Sequence, residues 1–151
     1  MSIHDKHKES KFETEIVEYL TSKDWIEGTS SGYDKNLALY TEDLISYVKN
    51  TQSDAYEKMA ARESIKTDET LCKIVANELD KKGSLYCLRN QLKDYRFNRL
   101  SLCQFKPELE NKDLQKKYDA NILRIVRQVY YSNEDKSSID LVLFLNGIPL
   151  A

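Results

Sequence analysis

The stretch Ser138–Ala151, S-I-D-L-V-L-F-L-N-G-I-P-L-A, decides the fold. Ile139, Leu141, Leu143 and Leu145 alternate with Asp140, Val142 and Phe144. Both faces are apolar apart from Asp140, which predicts a strand covered on both sides. Asn146-Gly147 then separates two apolar runs, the strongest short-range hairpin signal. A tight turn there sets Leu145 opposite Ile148, Leu143 opposite Leu150 and Val142 opposite Ala151, and the partner of Asp140 falls beyond Ala151. Pro149 cannot donate to the ladder, and a bulge at that point would shift the register. A carboxylate at the head of an apolar strand is costly unless something pairs with it. Metal ligation or catalysis explains it. An edge-strand aspartate facing solvent explains it too, and on pattern alone is the commoner case.

Working outward, the chain has 151 residues, which fits one domain with a real core that buries roughly two-thirds of the unfolded surface. Hydrophobic residues make up 40%, and ten tyrosines supply large half-polar packing groups. A net charge of −2 does not advertise nucleic-acid binding in bulk, so any such binding must come from a local patch. Cys72, Cys87 and Cys103 are odd in number and widely spaced, which fits neither a disulfide framework nor a zinc site and points to a reducing, cytoplasmic setting. The polar N-terminus is not a signal peptide, and no run is long enough to span a membrane.

Residues 1–9 read as a flexible polar tail and 10–151 as the folded domain. Ser10-Lys-Phe-Glu13 matches a capping box, with Phe12, Ile16, Val17 and Leu20 as the apolar stripe of a helix reaching about Ser22. Gly28–Asp34 is a loop, and Thr41 can cap a second helix carrying Leu44, Ile45 and Val48. A third helix spans about Asp54 to Arg62, and a fourth starts at Thr67 and stops at Gly83. Strand signals follow at Ser84–Leu88 and Phe97–Phe105, then a helix or loop at Asn111–Tyr118. Periodicity leaves Asn121–Ser132 open between helix and strand, and its β-branched and aromatic content favours strand. The outline is helices first, then an antiparallel meander: an α+β fold.

Several pieces recur in one order. They are Phe12-Glu13 with Ile16 and Leu20; Tyr33–Tyr40 (Y-D-K-N-L-A-L-Y); Asp43-Leu44; Thr51-Gln52; Gly83–Arg89 (G-S-L-Y-C-L-R); Phe105-Lys-Pro107; Tyr118-Asp-Ala-Asn121; and Gln128–Ser132 (Q-V-Y-Y-S) ahead of the terminal block. From about residue 8 onward the chain resembles the N-terminal nuclease domain of type I restriction enzyme R subunits. That resemblance implies a PD-(D/E)xK nuclease: a restriction-endonuclease-like core with an antiparallel meander flanked by helices, here truncated within the sheet. Asp140 matches the strand Asp, and the Glu-x-Lys is expected a few residues past Ala151. The implied chemistry is Mg²⁺-dependent hydrolysis of DNA phosphodiester bonds, coupled in the full protein to ATP-driven translocation. A Mg²⁺ held by hard carboxylate oxygens activates water and neutralises phosphate charge.

The resemblance makes Asp140 the expected metal ligand and catalytic residue. Glu13 matches a helical carboxylate near the metal, or simply closes a capping box; Glu15 is a weaker candidate, on another face of the same helix. Gln128 sits in the preceding strand and reads more readily as a sheet glutamine than a site residue. Arg89, Lys93, Arg96 and Arg99 form a basic run suited to DNA phosphates, with Lys116, Lys117, Arg124 and Arg127 further along. For each of them a solvated face is the blander reading. His4 and His7 lie in the polar tail and make an improbable metal site; Trp25 and the Tyr130-Tyr131 pair read as packing. Implied partners are DNA and the modification and specificity subunits, with ATP bound by motor domains outside this chain. No phosphate-binding Gly-rich Lys-Ser/Thr loop occurs within it. This fragment alone is expected to be inactive. The alternative is a non-catalytic docking or DNA-binding module of a DNA-translocating complex.

Overall fold

The computed structural model describes residues 3–130 and 138–150, with side chains for residues 11–127 and 141–150. The elements run α1 (Ile3–Thr21), β1 (Ile26–Glu27), β2 (Tyr33–Asp34), β3 (Leu39–Tyr40), α2 (Thr41–Thr51), α3 (Ser53–Glu63), α4 (Thr67–Lys82) and α5 (Ser84–Arg89). They continue with β4 (Leu92–Asp94), β5 (Asn98–Leu100), α6 (Lys112–Asp119), β6 (Leu123–Tyr130), β7 (Ser138–Leu145) and β8 (Ile148–Pro149).

The fold is α+β, and the meander is β6-β7-β8, antiparallel throughout. Leu145 pairs with Ile148 and Phe144 with Pro149, so the proline causes no shift of register. The Leu150 N–H reaches the Leu143 carbonyl at 2.7 Å, extending the same register. Asn146 and Gly147 have φ of 51° and 84°, as a primed type I hairpin turn requires. Gly147 is needed twice over. Besides its positive φ, a Cβ there would run into the Tyr40 carbonyl oxygen and crowd Leu44. The Tyr40 N–H donates to the Gly147 carbonyl at 2.9 Å, so the turn sits directly on the start of α2.

Leu145 and Ile148 carry the sheet into the main core, which α2, α3 and α4 build from Leu44, Val48, Met59, Leu71 and Val75. Leu92, Leu100 and Leu102, from the β4–β5 hairpin and the residues after it, close that core. Gln52 clamps the closure: its Oε1 accepts from the Ser101 N–H (2.7 Å) and its Nε2 donates to the Ser101 carbonyl (2.8 Å). A smaller cluster of Tyr40, Val126, Val142 and Phe144, with Tyr33 against it, packs the sheet itself. Phe144 meets the Tyr33 and Tyr40 rings at 5.8 and 5.7 Å.

Several expectations change. Residues 3–10 already belong to α1, so Ser10 lies inside the helix and not at its start. Phe12 is exposed and Trp25 only half-buried, so the inward side of α1 is carried by Val17, with Ile16 and Leu20 half-buried. Ser84–Leu88 is helical. Gly83, at φ 81°, ends α4 and its carbonyl accepts from the Cys87 N–H, restarting a helix at once. Finally, β5 is shorter than Phe97–Phe105, and β1 adds a parallel edge strand, Ile26 opposite Arg124 and Glu27 opposite Ile125. Neither Thr41 nor Thr67 caps its helix through its side chain; the Thr67 hydroxyl donates back to the Ser64 carbonyl at 2.6 Å.

Candidate functional site

Asp140 is a strand residue of β7. It lies between Ile139, opposite Val129, and Leu141, opposite Arg127. Its side chain is outside the described residues, as are those of Gln128, Tyr130, Tyr131, His4 and His7. The strand position rests on the sequence: β-branched and leucine residues give the run its extended preference, and Asn146-Gly147 fixes where it must turn.

Glu13 is half-buried on α1, while Glu15 is exposed. Among the described residues, Glu13 Oε1 is the buried side-chain oxygen that has no hydrogen-bond partner. Such an atom costs free energy unless something else satisfies it. Its neighbour Thr14 ties α1 to the sheet: Arg127 Nη2 donates to Thr14 Oγ1 at 3.1 Å. Arg127 stands opposite Leu141, next in sequence to Asp140. The contact ties α1 to β6 opposite Leu141; it relates the two elements, not the side chains of Glu13 and Asp140. Sequence reading counted Arg127 only as positive charge, and its link to α1 had no local signal.

Arg124 has a different fate from the one its charge suggests. Its Nε and Nη2 donate to Asp43 at 2.9 and 2.7 Å, and Asp43 is buried on α2. The guanidinium also lies 5.0 Å from the centre of the Tyr40 ring. The hydrogen bonds Arg124 donates to Asp43 push its pKa up, with burial opposing. Arg124 therefore fastens β6 to α2. Arg96 is likewise engaged, its Nε 3.0 Å from Asp94 Oδ1. Arg89, Lys93 and Arg99 are exposed, as is Lys116 on α6.

Asn146 does more than turn the chain. Fully buried, it donates through Nδ2 to the Leu102 carbonyl and to Asn121 Oδ1, both at 2.9 Å. Its Oδ1 accepts from the Ile122 N–H at 2.7 Å. Asn121 in turn donates to the Gln104 carbonyl at 2.7 Å. Every side-chain group of this buried amide is thus used.

The family described as Type I restriction enzyme R protein N terminus matches residues 6–151. The chain belongs to that family. Neither the curated proteins nor the solved structures gave a match. The family is the N-terminal region of the R subunit of a restriction enzyme, and membership suggests a divalent metal. Among the described residues, no group of three or more His, Cys, Asp or Glu is arranged to hold one. The unpartnered Glu13 oxygen nevertheless fits such an ion, being a hard carboxylate ligand held out of bulk water. No helix among the described residues is long and apolar enough to cross a membrane.

Proposed function

We propose that this chain supplies the first carboxylates of the DNA-cleaving centre of a type I restriction R subunit, a PD-(D/E)xK endonuclease. Asp140 is the strand ligand and Glu13 the helical one. The observation that carries this is the buried, unpartnered Glu13 oxygen, on a helix bonded to the sheet beside the backbone of Asp140. A Mg²⁺ there would lower the pKa of a bound water and stabilise charge on the phosphate. The chain's own part is to hold two oxygens at fixed positions. A strand and a packed helix serve that better than loops.

The substrate is DNA, cut without reading bases at this site, and the working unit is the complex with modification and specificity subunits in the cytoplasm. Translocation driven by ATP belongs to motor domains elsewhere in the subunit. The family's Glu-x-Lys pair would complete the centre.

The test is Asp140→Ala in the full-length subunit, assembled with its partners. Cleavage should fall at least about a thousandfold, on the scale of losing a group that acts in the transition state. ATP hydrolysis should stay unchanged. Undiminished cutting by Asp140→Ala would return the chain to the docking or DNA-binding alternative.

A further inference from the structure

We propose that the β4–β5 hairpin, with the end of α3, is a binding surface for single-stranded nucleic acid. It is separate from Asp140, so it stands whether or not that residue cuts.

The hairpin is two-faced. Leu92 and Leu100 pair with each other and are buried in the main core. One step along the ladder, Lys93 pairs with Arg99, and both are exposed. Like charges directly opposite on a two-stranded sheet repel. Among the described residues neither cation has an ion pair or side-chain hydrogen bond to offset that repulsion. An anion lying across the pair would relieve it.

Beyond this pair the hairpin presents an aromatic ring. Tyr95 is 68% exposed, although a ring of that size gains free energy from burial. Two guanidiniums hold it. Arg96 lies 4.9 Å from the ring centre and Arg62, at the end of α3, lies 5.4 Å from it. Arg96 is itself fixed by Asp94, whose Oδ1 also accepts the Arg96 backbone N–H at 2.9 Å. Phe97, next in sequence, is buried and anchors the tip. The ring stands in the open beside this anchor.

The two features are two residues apart along the hairpin: cations without an ion pair among the described residues, then an exposed ring with two guanidiniums over it. Unpaired bases stack on such a plane whatever their identity, while the backbone follows the cations. A duplex keeps its base faces hidden and would use only the cations.

The probe is a fluorescein-labelled, mixed-sequence DNA single strand of ~16 nucleotides, with a duplex of equal length, titrated with the 151-residue chain and read by anisotropy. The single strand should bind more tightly. Tyr95→Ala should weaken it roughly tenfold, Tyr95→Phe should not, and the duplex should respond to neither. Lys93→Ala with Arg99→Ala should weaken both and lower the salt slope by about one to one and a half. Unfolding midpoints equal to the parent's establish that the variants are folded. Equal binding of both DNAs with Tyr95→Ala silent overturns the proposal. So does parental affinity in the Lys93/Arg99 double variant.

Discussion

The two ends of β7 are built differently. At the turn end, Asn146 binds Leu102, Asn121 and Ile122, Gly147 binds Tyr40, and Leu145 and Ile148 enter the main core. At the other end, Ile139 and Ser138 pair with β6 alone among the described residues. The tie nearest to Asp140 is the Arg127–Thr14 bond to α1. One end has its polar groups satisfied. The other carries an aspartate in an apolar strand, and α1, which bears the unpartnered Glu13 oxygen, is bonded to the neighbouring strand. The satisfied polar network lies at the turn.

That contrast can be broken from the turn end first. Gly147→Ala forces a Cβ towards the Tyr40 carbonyl at a positive φ and should cost about 3 kcal/mol. Asp43→Ala leaves the largely covered Arg124 without its partner and should cost about 2–3 kcal/mol in urea unfolding. An effect below about 0.5 kcal/mol for either would mean that the turn is not the anchor.

Alkaline pH probes the helical core behind the turn. Burial raises the Cys72 thiol from 9.0 to about 12 and the Cys103 thiol from 9.0 to about 11. Burial likewise lifts Tyr47 from 10.0 to about 12. Below the unfolded values these groups are neutral in both states, and their contribution is complete. Above them the unfolded chain loses protons that the folded chain keeps, so stability falls as pH rises through the window from 9.0 towards about 12. Urea midpoints at about pH 8 and about pH 10 should decline in that order, and a flat profile would show the thiols to be accessible. The smallest stability effect is expected at the other end. Glu13→Gln should change unfolding by no more than about 0.5 kcal/mol, because the Glu13 Oε1 has no hydrogen-bond partner among the described residues.

The sheet hairpin was legible because its signal is local: alternation, then Asn-Gly, with the register following from the turn. The fourth helix's end at Gly83 was legible for the same reason. Ser84–Leu88 was not. Its short apolar run fits strand or helix, and the Gly83 carbonyl that restarts the helix is visible only in three dimensions. Ser10 matched a cap motif that becomes irrelevant once the helix continues upstream. The site was legible only as candidate residues. Asp140 and Glu13 lie far apart in sequence, and the Arg127–Thr14 bond that relates their elements leaves no local pattern. The Asp43–Arg124 pair likewise turned an apparent DNA contact into a fastening.

The most direct measurement is calorimetric titration of Mn²⁺ into the full-length R subunit, standing in for Mg²⁺, with Asp140→Asn, Glu13→Gln and Glu15→Gln variants of unchanged unfolding midpoint. Asp140→Asn and Glu13→Gln should each weaken the same site by roughly tenfold or more, and Glu15→Gln should leave it unaltered. Parental Mn²⁺ affinity in both Asp140→Asn and Glu13→Gln would contradict a shared ion between α1 and β7.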